Sequence, residues 1–161
     1  MPDQRARPLW TCPKCGARLV GRNMWHACGS YSVDRFLADK GPSARALLDA
    51  FRTMVESCGP VTAAPAKTRV AFMVRVRFGA VGRLSERSLR AEFGLPYALS
   101  SSRIARIVEL IPGWFVHWLT LRQPADYDAE LREWLCLSRH WMGEQRRFGP
   151  RRDAHAYRDF R

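Results

Sequence analysis

A group of metal-ligating residue types near the start of the chain constrains its fold more than any other feature. Two residues separate Cys12 from Cys15, and after ten more residues His26 and Cys28 complete a C-x2-C…H-x-C pattern. Three thiolates and one imidazole match the tetrahedral coordination of Zn2+ in closed, structural sites. We therefore predict a structural zinc site. The alternatives are a reduced cluster without metal and an oxidised cysteine pair.

The segment around these four residues is predicted to form a small zinc-binding finger over residues 9–31. In the sequence CPKCG, Pro13 fixes a turn and Gly16 lets backbone amides approach the sulfurs. So short a unit buries too little apolar area to fold alone, so the metal would supply most of its folding energy. The apolar residues expected to cover the site or to dock it on a larger domain are Trp10, Leu19, Val20 and Trp25.

The predicted metal site does not have the features of a catalytic centre. Four protein ligands leave no open position for water. Zinc deaminases carry a glutamate in an H-x-E pattern, but Ala27 and Cys28 follow His26. Elsewhere, Cys58 at a helix C-terminus and Cys136 within a helix are expected to be packing residues rather than nucleophiles. We predict no catalytic residues, and an enzyme is the least favoured class of function.

Residues 32–143 are predicted to form an α+β domain with about five antiparallel strands and two main helices. Ser32 is placed to cap a short first helix, and a longer helix follows and stops at Cys58-Gly59-Pro60. The closing helix begins at Asp126, the expected N-cap. Alternating apolar residues predict strands over 70–78 and 89–95. Residues 103–111 also satisfy the spacing of a helix, but their β-branched residues and the turn at Pro112-Gly113 favour a strand that pairs with 115–121.

The charge of the chain points to an anionic partner. The formal net charge is +12 and the isoelectric point is near 10.5. Nearly all of the basic residues are arginines, whose planar guanidinium binds two phosphate oxygens at once. A GC-rich genome also favours arginine over lysine, so a generally basic solvated surface is the alternative. The candidate nucleic-acid contacts are Lys14, Arg18 and Arg22 in the finger and Arg75, Arg77 and Arg90 on the predicted sheet.

The last segment, residues 144–161, is predicted to be a basic and mostly disordered tail. It lacks any periodic pattern of apolar residues. Its six arginines alternate with three aromatic residues, and three acids leave a net charge of +3. Interleaved basic and aromatic residues suit RNA, which binds by charge and by stacking. Because this net charge is modest, we expect only a modest electrostatic attraction between the tail and a polyanion.

Composition also bears on the cellular location. No apolar run approaches the roughly 20 residues needed to span a bilayer, so no membrane partner is expected. The first ten residues lack the apolar core of a secretory signal. The five cysteines fit a reducing compartment. The sequence therefore predicts a cytoplasmic protein.

Several of these motifs together resemble a bacterial family known as domain of unknown function 5655. The segments that carry the resemblance are WTCPKCG, WHACG, ESCGP, TRVAFMVRVRFGAV and FVHWLTLRQPADYDAELREWL. It covers residues 10–142 and implies a helix packed on an antiparallel sheet with a closing helix. The family brings no established catalytic residues and no substrate. The resemblance therefore implies a fold and leaves the function to be argued from the residues.

Two kinds of binding function remain. The favoured hypothesis is a zinc-stabilised protein that contacts nucleic acid or a ribonucleoprotein through its arginines. The second is a module that binds a small molecule between the sheet and the closing helix, because aromatic clefts with one polar group are typical ligand sites. The residues expected to line that pocket are Tyr97, Trp114, His117, Trp118 and Trp134.

Overall fold

The computed structural model describes residues 8–19, 22, 26, 28–29 and 31–146 of the chain. These residues form two antiparallel sheets and three α-helices. In the described residues, no helix has the length and apolarity that a membrane crossing requires. In chain order the elements are β1 (Trp10–Thr11), β2 (Arg18–Leu19), α1 (Val33–Phe36), α2 (Pro42–Glu56), β3 (Thr62–Pro65), β4 (Val70–Met73), β5 (Arg77–Leu84), β6 (Leu89–Leu95), β7 (Arg106–Ile111), β8 (Trp114–Leu121) and α3 (Ala129–Ser138).

The larger sheet has six strands in the order β3-β4-β5-β6-β8-β7, and every neighbouring pair is antiparallel. This architecture confirms the predicted α+β class, with β1 and β2 forming a separate two-stranded hairpin. One of the strands missing from the predicted ranges is β3, Thr62–Pro65, whose short TAAP sequence lacks the alternation that identifies a half-buried strand. The sequence-based count of about five strands missed it for that reason.

The hydrophobic core lies between one face of this sheet and the helices α2 and α3. We call this the inner face of the sheet and the opposite one the outer face. Burying a large apolar side chain contributes roughly 1.5–3 kcal/mol, so the core supplies most of the stability of the domain. Its largest fully buried apolar side chains are Phe51, Phe72, Phe93, Leu48, Leu89, Leu95, Leu119, Leu121, Leu131, Leu135 and Val55.

The predicted single strand over residues 70–78 is wrong, because the chain folds there into the hairpin β4–β5. The N–H of Val74 donates to the carbonyl of Val76 at 3.2 Å, which closes a tight turn. The N–H groups of Arg75 and Val76 both donate to the carbonyl of Gly143, at 2.8 and 3.2 Å. Because a distant carbonyl holds this turn, no glycine or proline marks it in the sequence. Arg75 therefore lies in a turn rather than on a strand beside Arg77.

The ends of the three helices agree in part with the sequence. Ser32 caps α1 as predicted, since its hydroxyl accepts from the N–H of Arg35 at 3.0 Å. The N-cap of α3 is Asp128, which accepts from the N–H of Leu131 at 2.9 Å. The predicted cap, Asp126, instead accepts from the N–H of Arg122 at 2.6 Å, in the turn before the helix. The expected cap position was therefore two residues too early.

The N-terminus of α2 is capped by a residue that is distant in sequence. Gly41 stands at the N-cap and has no side chain to accept a hydrogen bond. The carboxylate of Glu86, from the loop between β5 and β6, accepts instead from the N–H groups of Gly41, Ser43 and Ala44 at 2.6–3.3 Å. A carboxylate at this end also interacts favourably with the helix dipole. This contact ties α2 to the sheet.

Cys58 and Cys136 form a disulfide, so the prediction that both are simple packing residues is wrong. Cys58 follows α2, and Cys136 lies within α3. The two residues are 78 positions apart in sequence, but their Cα atoms are 5.0 Å apart where the helices meet. Spacing in the sequence cannot show this contact, because it depends on how the two helices pack. The disulfide thus joins both main helices of the core.

Candidate metal centre and the cleft beside it

The finger is built on the hairpin β1–β2, in which Trp10 pairs with Leu19. Its turn carries the first two cysteines. The N–H of Cys12 donates to the carbonyl of Ala17, and the N–H of Gly16 donates back to the carbonyl of Cys12, both at 2.8 Å. Gly16 has a φ of +73°, a left-handed conformation that side chains other than hydrogen disfavour. The CPKCG sequence therefore closes the tight turn that presents two sulfurs on one side.

The structure brings the four predicted metal ligands together. One ligand atom from each of Cys12, Cys15, His26 and Cys28 lies within 4.8 Å of all the others. The sulfurs of Cys12 and Cys28 are 3.5 Å apart. Around a tetrahedral zinc with bonds of about 2.3 Å, neighbouring sulfurs lie about 3.8 Å apart. The donor set and its spacing therefore fit a four-coordinate metal ion with no further ligand.

The ionisation of the thiols depends on their neighbours. Burial opposes ionisation of Cys12, but hydrogen bonds from the backbone N–H groups of Lys14 and Cys15 and from the side chains of His26 and Cys28 lower its pKa to about 6. The hydrogen bond to Cys12 and then burial raise the pKa of Cys28 to about 11. Without a cation, the two thiols therefore differ in how readily they ionise. A bound cation would favour the thiolate form of every sulfur.

Part of the predicted cover of the site can be described. Leu19 is buried, with 2% of its surface exposed, and Trp10 is half-buried with its ring 6.4 Å from that of His26. Both residues therefore pack close to the metal ligands, as the sequence predicts. The other two predicted covering residues, Val20 and Trp25, lie outside the described residues.

A cleft of about 320 Å³ separates the finger from the outer face of the sheet. Its finger side includes Arg18 and the ligand His26, and its sheet side includes Ala71, Met73 and Arg77. Ala71 and Met73 have 2% and 7% of their surfaces exposed, although they belong to the face opposite the core. The finger therefore covers the β3–β4 end of the outer face and leaves a concave space beside the metal centre.

The predicted nucleic-acid contacts divide into three groups. Arg18 and Arg77 line the cleft together. Arg90 is exposed on β6, on the same outer face as Glu92. Lys14 and Arg22 are exposed on the finger. Arg75 is the exception, because it lies half-buried in the β4–β5 turn.

The five residues predicted to line an aromatic pocket do not share one face of the sheet. His117 pairs with Phe93 on the inner face, and the rings of these two residues stack at 5.2 Å. The ring of Trp134, from α3, also stacks on Phe93, with 6.0 Å between the ring centroids. Tyr97 packs against the same core cluster. Trp114 and Trp118 alternate with His117 along β8, so they lie on the outer face.

His117 is fully buried in the core, where its Nε2 has a hydrogen-bond partner and its buried Nδ1 has none among the described residues. Its Nε2 accepts from the N–H of Leu99 at 3.0 Å, so this nitrogen carries no proton. Burial lowers the pKa of His117, and the backbone carbonyls of Phe93 and Phe115 offset this only partly. The residue is therefore neutral at physiological pH and anchors the loop that contains Leu99.

Sequence reasoning missed Arg69, which precedes β4. Arg69 lines the cleft, and its guanidinium pairs with Glu92 at 3.0 Å. Glu92 also accepts from the indole N–H of Trp118 at 2.8 Å. The sequence carries one signal for this residue: in TRV, an arginine stands immediately before the first residue of β4. A long side chain at that position can reach over the neighbouring strand. Its partner could be found only from the register of β6.

A family model described as "Domain of unknown function (DUF5655)" matches residues 33–142 of the chain. The match covers the α+β domain and begins after the metal ligands, so the finger lies outside it. The resemblance predicted from the motifs is confirmed for the domain. Neither a curated protein nor a solved structure matches the chain.

Proposed function

The chain belongs to the DUF5655 family, and we propose that it is a zinc-stabilised binding protein for nucleic acid, either free or within a ribonucleoprotein. The observation that carries the proposal is the cleft that Arg18 of the finger and Arg77 of the sheet line together. Guanidinium groups on two sides of one concave space can hold the phosphates of a single backbone. The metal would act indirectly, by fixing the finger that carries Arg18.

The basic side chains concerned are available for phosphates. Among the described residues, Lys14, Arg18, Arg22, Arg77 and Arg90 have no acidic side chain within salt-bridge distance. All five are exposed. Other arginines of the domain are engaged; Arg103, for example, pairs with Asp128 and Glu130. An arginine that is not already paired needs no internal bond to break before it contacts a phosphate.

We propose Zn2+ as the metal because of the donor set. Thiolate and imidazole ligands in a tetrahedral arrangement select zinc over magnesium, calcium or manganese, which prefer oxygen ligands. The metal would be held by Cys12, Cys15, His26 and Cys28. With all four positions taken by protein, it would supply structural stability and no bound water for chemistry.

The test is a binding titration of the full, metal-loaded chain against labelled single-stranded and duplex oligonucleotides over a range of salt concentrations. The logarithm of the association constant should fall linearly with the logarithm of salt concentration, because phosphate contacts release counterions. An Arg18→Ala/Arg77→Ala variant should bind more weakly and with a shallower salt dependence.

The matched control is Arg52→Ala, which removes an arginine from α2, on the helix side of the sheet. Arg52 pairs with Glu56 at 2.8 Å on the exposed surface, so its loss should leave the affinity and the salt dependence unchanged. Absence of salt-sensitive binding to any oligonucleotide at micromolar protein would overturn the proposal.

The cleft also supports a second candidate, a binding site for a small anionic molecule. Its volume of about 320 Å³ lies at the lower end of the range for ligand sites, roughly 300–1,000 Å³. Tyr31 and the arginines of the cleft would provide aromatic and charged contacts. The two candidates differ in their dependence on ligand length: a mononucleotide should saturate a small-molecule site, whereas nucleic-acid binding should strengthen as an oligonucleotide is extended.

We propose the cytoplasm as the location, because unoxidised thiolates suit a reducing compartment. The Cys58–Cys136 disulfide argues against this location, because such bonds persist mainly in oxidising compartments. Alkylation of free thiols at the moment of cell lysis, followed by mass spectrometry, discriminates between the two. Alkylated Cys58 and Cys136 would support the cytoplasm, and an intact bond would contradict it.

A further inference from the structure

We infer that the nucleic acid is single-stranded and that it runs across the outer face of the sheet in one groove, from the finger to Trp114. This inference rests on the proposed function and specifies its ligand. It depends on three features of the outer face: a continuous depression, a net positive lining and an aromatic ring at the far end.

The cleft beside the finger continues into a second depression on the outer face. This second depression has a volume of about 480 Å³ and ends at Trp114. Arg69, Ala71 and Arg77 line both spaces, so the two form one groove. From β4 to β8 the groove crosses three strand intervals of roughly 4.8 Å each, or roughly 14 Å. This length suits a short run of nucleotides.

The floor of the groove is made shallow by small residues. Ala71 on β4 pairs with Ala80 on β5, and both lie on the outer face. The residue of β6 that pairs with Ala80 is Glu92, whose carboxylate pairs with Arg69. Two residues further along β6, Gly94 has no side chain, and a Cβ there would lie 2.7 Å from the indole Nε1 of Trp114. The indole therefore rests against the backbone of β6. A polynucleotide can approach the sheet closely at Ala71, Ala80 and Gly94, beside the Arg69–Glu92 pair.

The charges along the groove favour a polyanion. Among the described residues that line it, the charged side chains apart from the candidate metal ligands are Arg18, Arg69, Arg77 and Glu92. The carboxylate of Glu92 is already neutralised, because it pairs with Arg69 and accepts from the indole of Trp118. Arg18 and Arg77 remain without an acidic partner in the described residues. Phosphates passing through the groove would meet these two guanidinium groups first.

Trp114 and Trp118 occupy the same face of β8 but differ in their engagement. The guanidinium of Arg106 lies 5.4 Å from the ring centroid of Trp118, and Glu92 holds the indole N–H of that residue. Trp114 is partly exposed and makes no aromatic or cation–π contact with other described residues. One side of its indole lies against Gly94. Because Trp114 is only partly buried, its exposed surface is where a base would stack.

Stacking on Trp114 distinguishes single strands from duplexes. In a duplex the faces of the bases are covered by their neighbours, whereas unpaired bases can be splayed onto an aromatic ring. Sequence-tolerant binding of single strands commonly combines a positive groove with such stacking. The groove provides both, with the arginines at the finger end and the indole at the other end.

The experiment compares Trp114→Ala and Arg77→Ala in salt-dependent titrations with an unpaired oligouridylate, an unpaired oligothymidylate and a duplex. Trp114→Ala should weaken binding of both single strands by roughly 5- to 150-fold without changing the salt slope, because it removes stacking and no charge. Arg77→Ala should reduce the steepness of the salt slope by about 0.7, the value for one phosphate contact on a single strand.

Trp114→Phe keeps an aromatic ring and should recover most of the lost affinity, while Arg52→Ala should match the wild type. If Trp114→Ala proves unfolded by thermal melting, photocrosslinking of 5-iodouracil oligonucleotides to the wild-type chain replaces it. Mass spectrometry should then find the crosslink in the peptide that contains Trp114, and a crosslink confined to other peptides would overturn the inference.

The two levels of the proposal fail in different ways. Equal affinity for duplex and single strands, with an unchanged affinity in a folded Trp114→Ala variant, would overturn the single-strand groove and leave nucleic-acid binding in place. Absence of salt-sensitive binding to all three probes would overturn the proposed function together with the groove.

Discussion

The finger and the α+β domain both bring cysteines together, but in opposite ways. In the finger, three cysteines and a histidine close in sequence gather around one point, and among its described residues Cys12 and Leu19 are the buried ones. In the domain, two cysteines that are 78 residues apart join helices which already enclose a continuous apolar core. Under the proposed function the finger would depend on a metal cross-link to fold, whereas the disulfide reinforces a domain that has its own core.

The difference between the finger and the domain affects the cleft that they line together. A domain with its own core can hold the outer face of the sheet rigid whatever the state of the metal. Under the proposed function, the finger would hold Arg18 opposite Arg77 only while a metal gathers the four ligands. Metal binding would thus control one wall of the cleft and leave the sheet wall, with Arg69 and Arg77, unchanged.

Removal of the metal is the strongest way to separate the two regions. Chelation of the full chain, or the Cys12→Ser substitution, should unfold the finger, because structural zinc supplies about 10 kcal/mol or more to units of this kind. Amide resonances of residues 8–19 should collapse towards random-coil shifts, while those of α2, α3 and the six-stranded sheet stay in place. Two-dimensional NMR of the labelled protein measures both regions at once.

The matched control is Cys136→Ser, which removes a cysteine of the domain. This variant should keep one metal ion per chain by elemental analysis, whereas Cys12→Ser should keep none. Finger resonances that survive chelation unchanged would show that the hairpin β1–β2 folds by its own contacts. A metal content near zero in the wild type would contradict the metal centre itself.

Loss of the disulfide tests the domain and should have a smaller effect. In the loop-entropy account, a cross-link that closes a loop of 78 residues stabilises the folded state by about 4.5 kcal/mol. Reduction of the wild type, or Cys58→Ser, should lower the free energy of unfolding in urea by up to that amount. The six-stranded sheet should still form, since the core does not depend on the bond.

Reductant serves as the internal control for this measurement. It should lower the urea midpoint of the wild type but leave Cys58→Ser unaffected, because that variant has no bond to lose. A midpoint of the wild type that does not respond to reductant would mean that the bond contributes nothing to stability. The cysteines of the domain would then contribute nothing to its stability, unlike the cysteines that are proposed to hold the finger.

The same comparison shows what the sequence could predict. The cluster of Cys12, Cys15, His26 and Cys28 was predictable because these residues are local and their spacing is typical of metal ligands. The strands β6 and β8 were predictable because each alternates buried and more exposed residues over much of its length. The strand β7 is largely exposed at the edge of the sheet, and its β-branched residues and hairpin partner indicated it. Local patterns were therefore sufficient wherever the structure itself is local.

Features that depend on distant partners could not be predicted. The β4–β5 turn is held by the carbonyl of Gly143, and α2 is capped by Glu86. The Cys58–Cys136 bond also joins elements that only the packed core brings together. The predicted aromatic pocket grouped His117 with Trp114 and Trp118 because these residues are close together along β8. Alternation instead places His117 on the face opposite the two tryptophans.

His117 allows the finest test of the domain, through the pH dependence of its stability. Burial lowers the pKa of His117 below the ordinary value of 6.5, so the unfolded chain binds a proton more readily than the folded one. The contribution of His117 to the free energy of unfolding should therefore be constant above about pH 7.5 and should decrease as the pH falls through 6.5 towards the folded pKa. The maximum slope for one proton is about 1.4 kcal/mol per pH unit.

His117→Gln cannot take up this proton, so its unfolding free energy should change less between pH 7 and 5 than that of the wild type. The pKa of His140 is also lowered, by burial and by nearby arginines, so His140→Gln is the necessary control. Because His117 is fully buried and His140 is partly exposed, the first substitution should flatten the profile more than the second. Urea titrations at half-unit pH steps measure this. Equal profiles for the wild type and His117→Gln would show that His117 takes up its proton as readily in the folded chain as in the unfolded one, and so would contradict its role as a neutral anchor for Leu99.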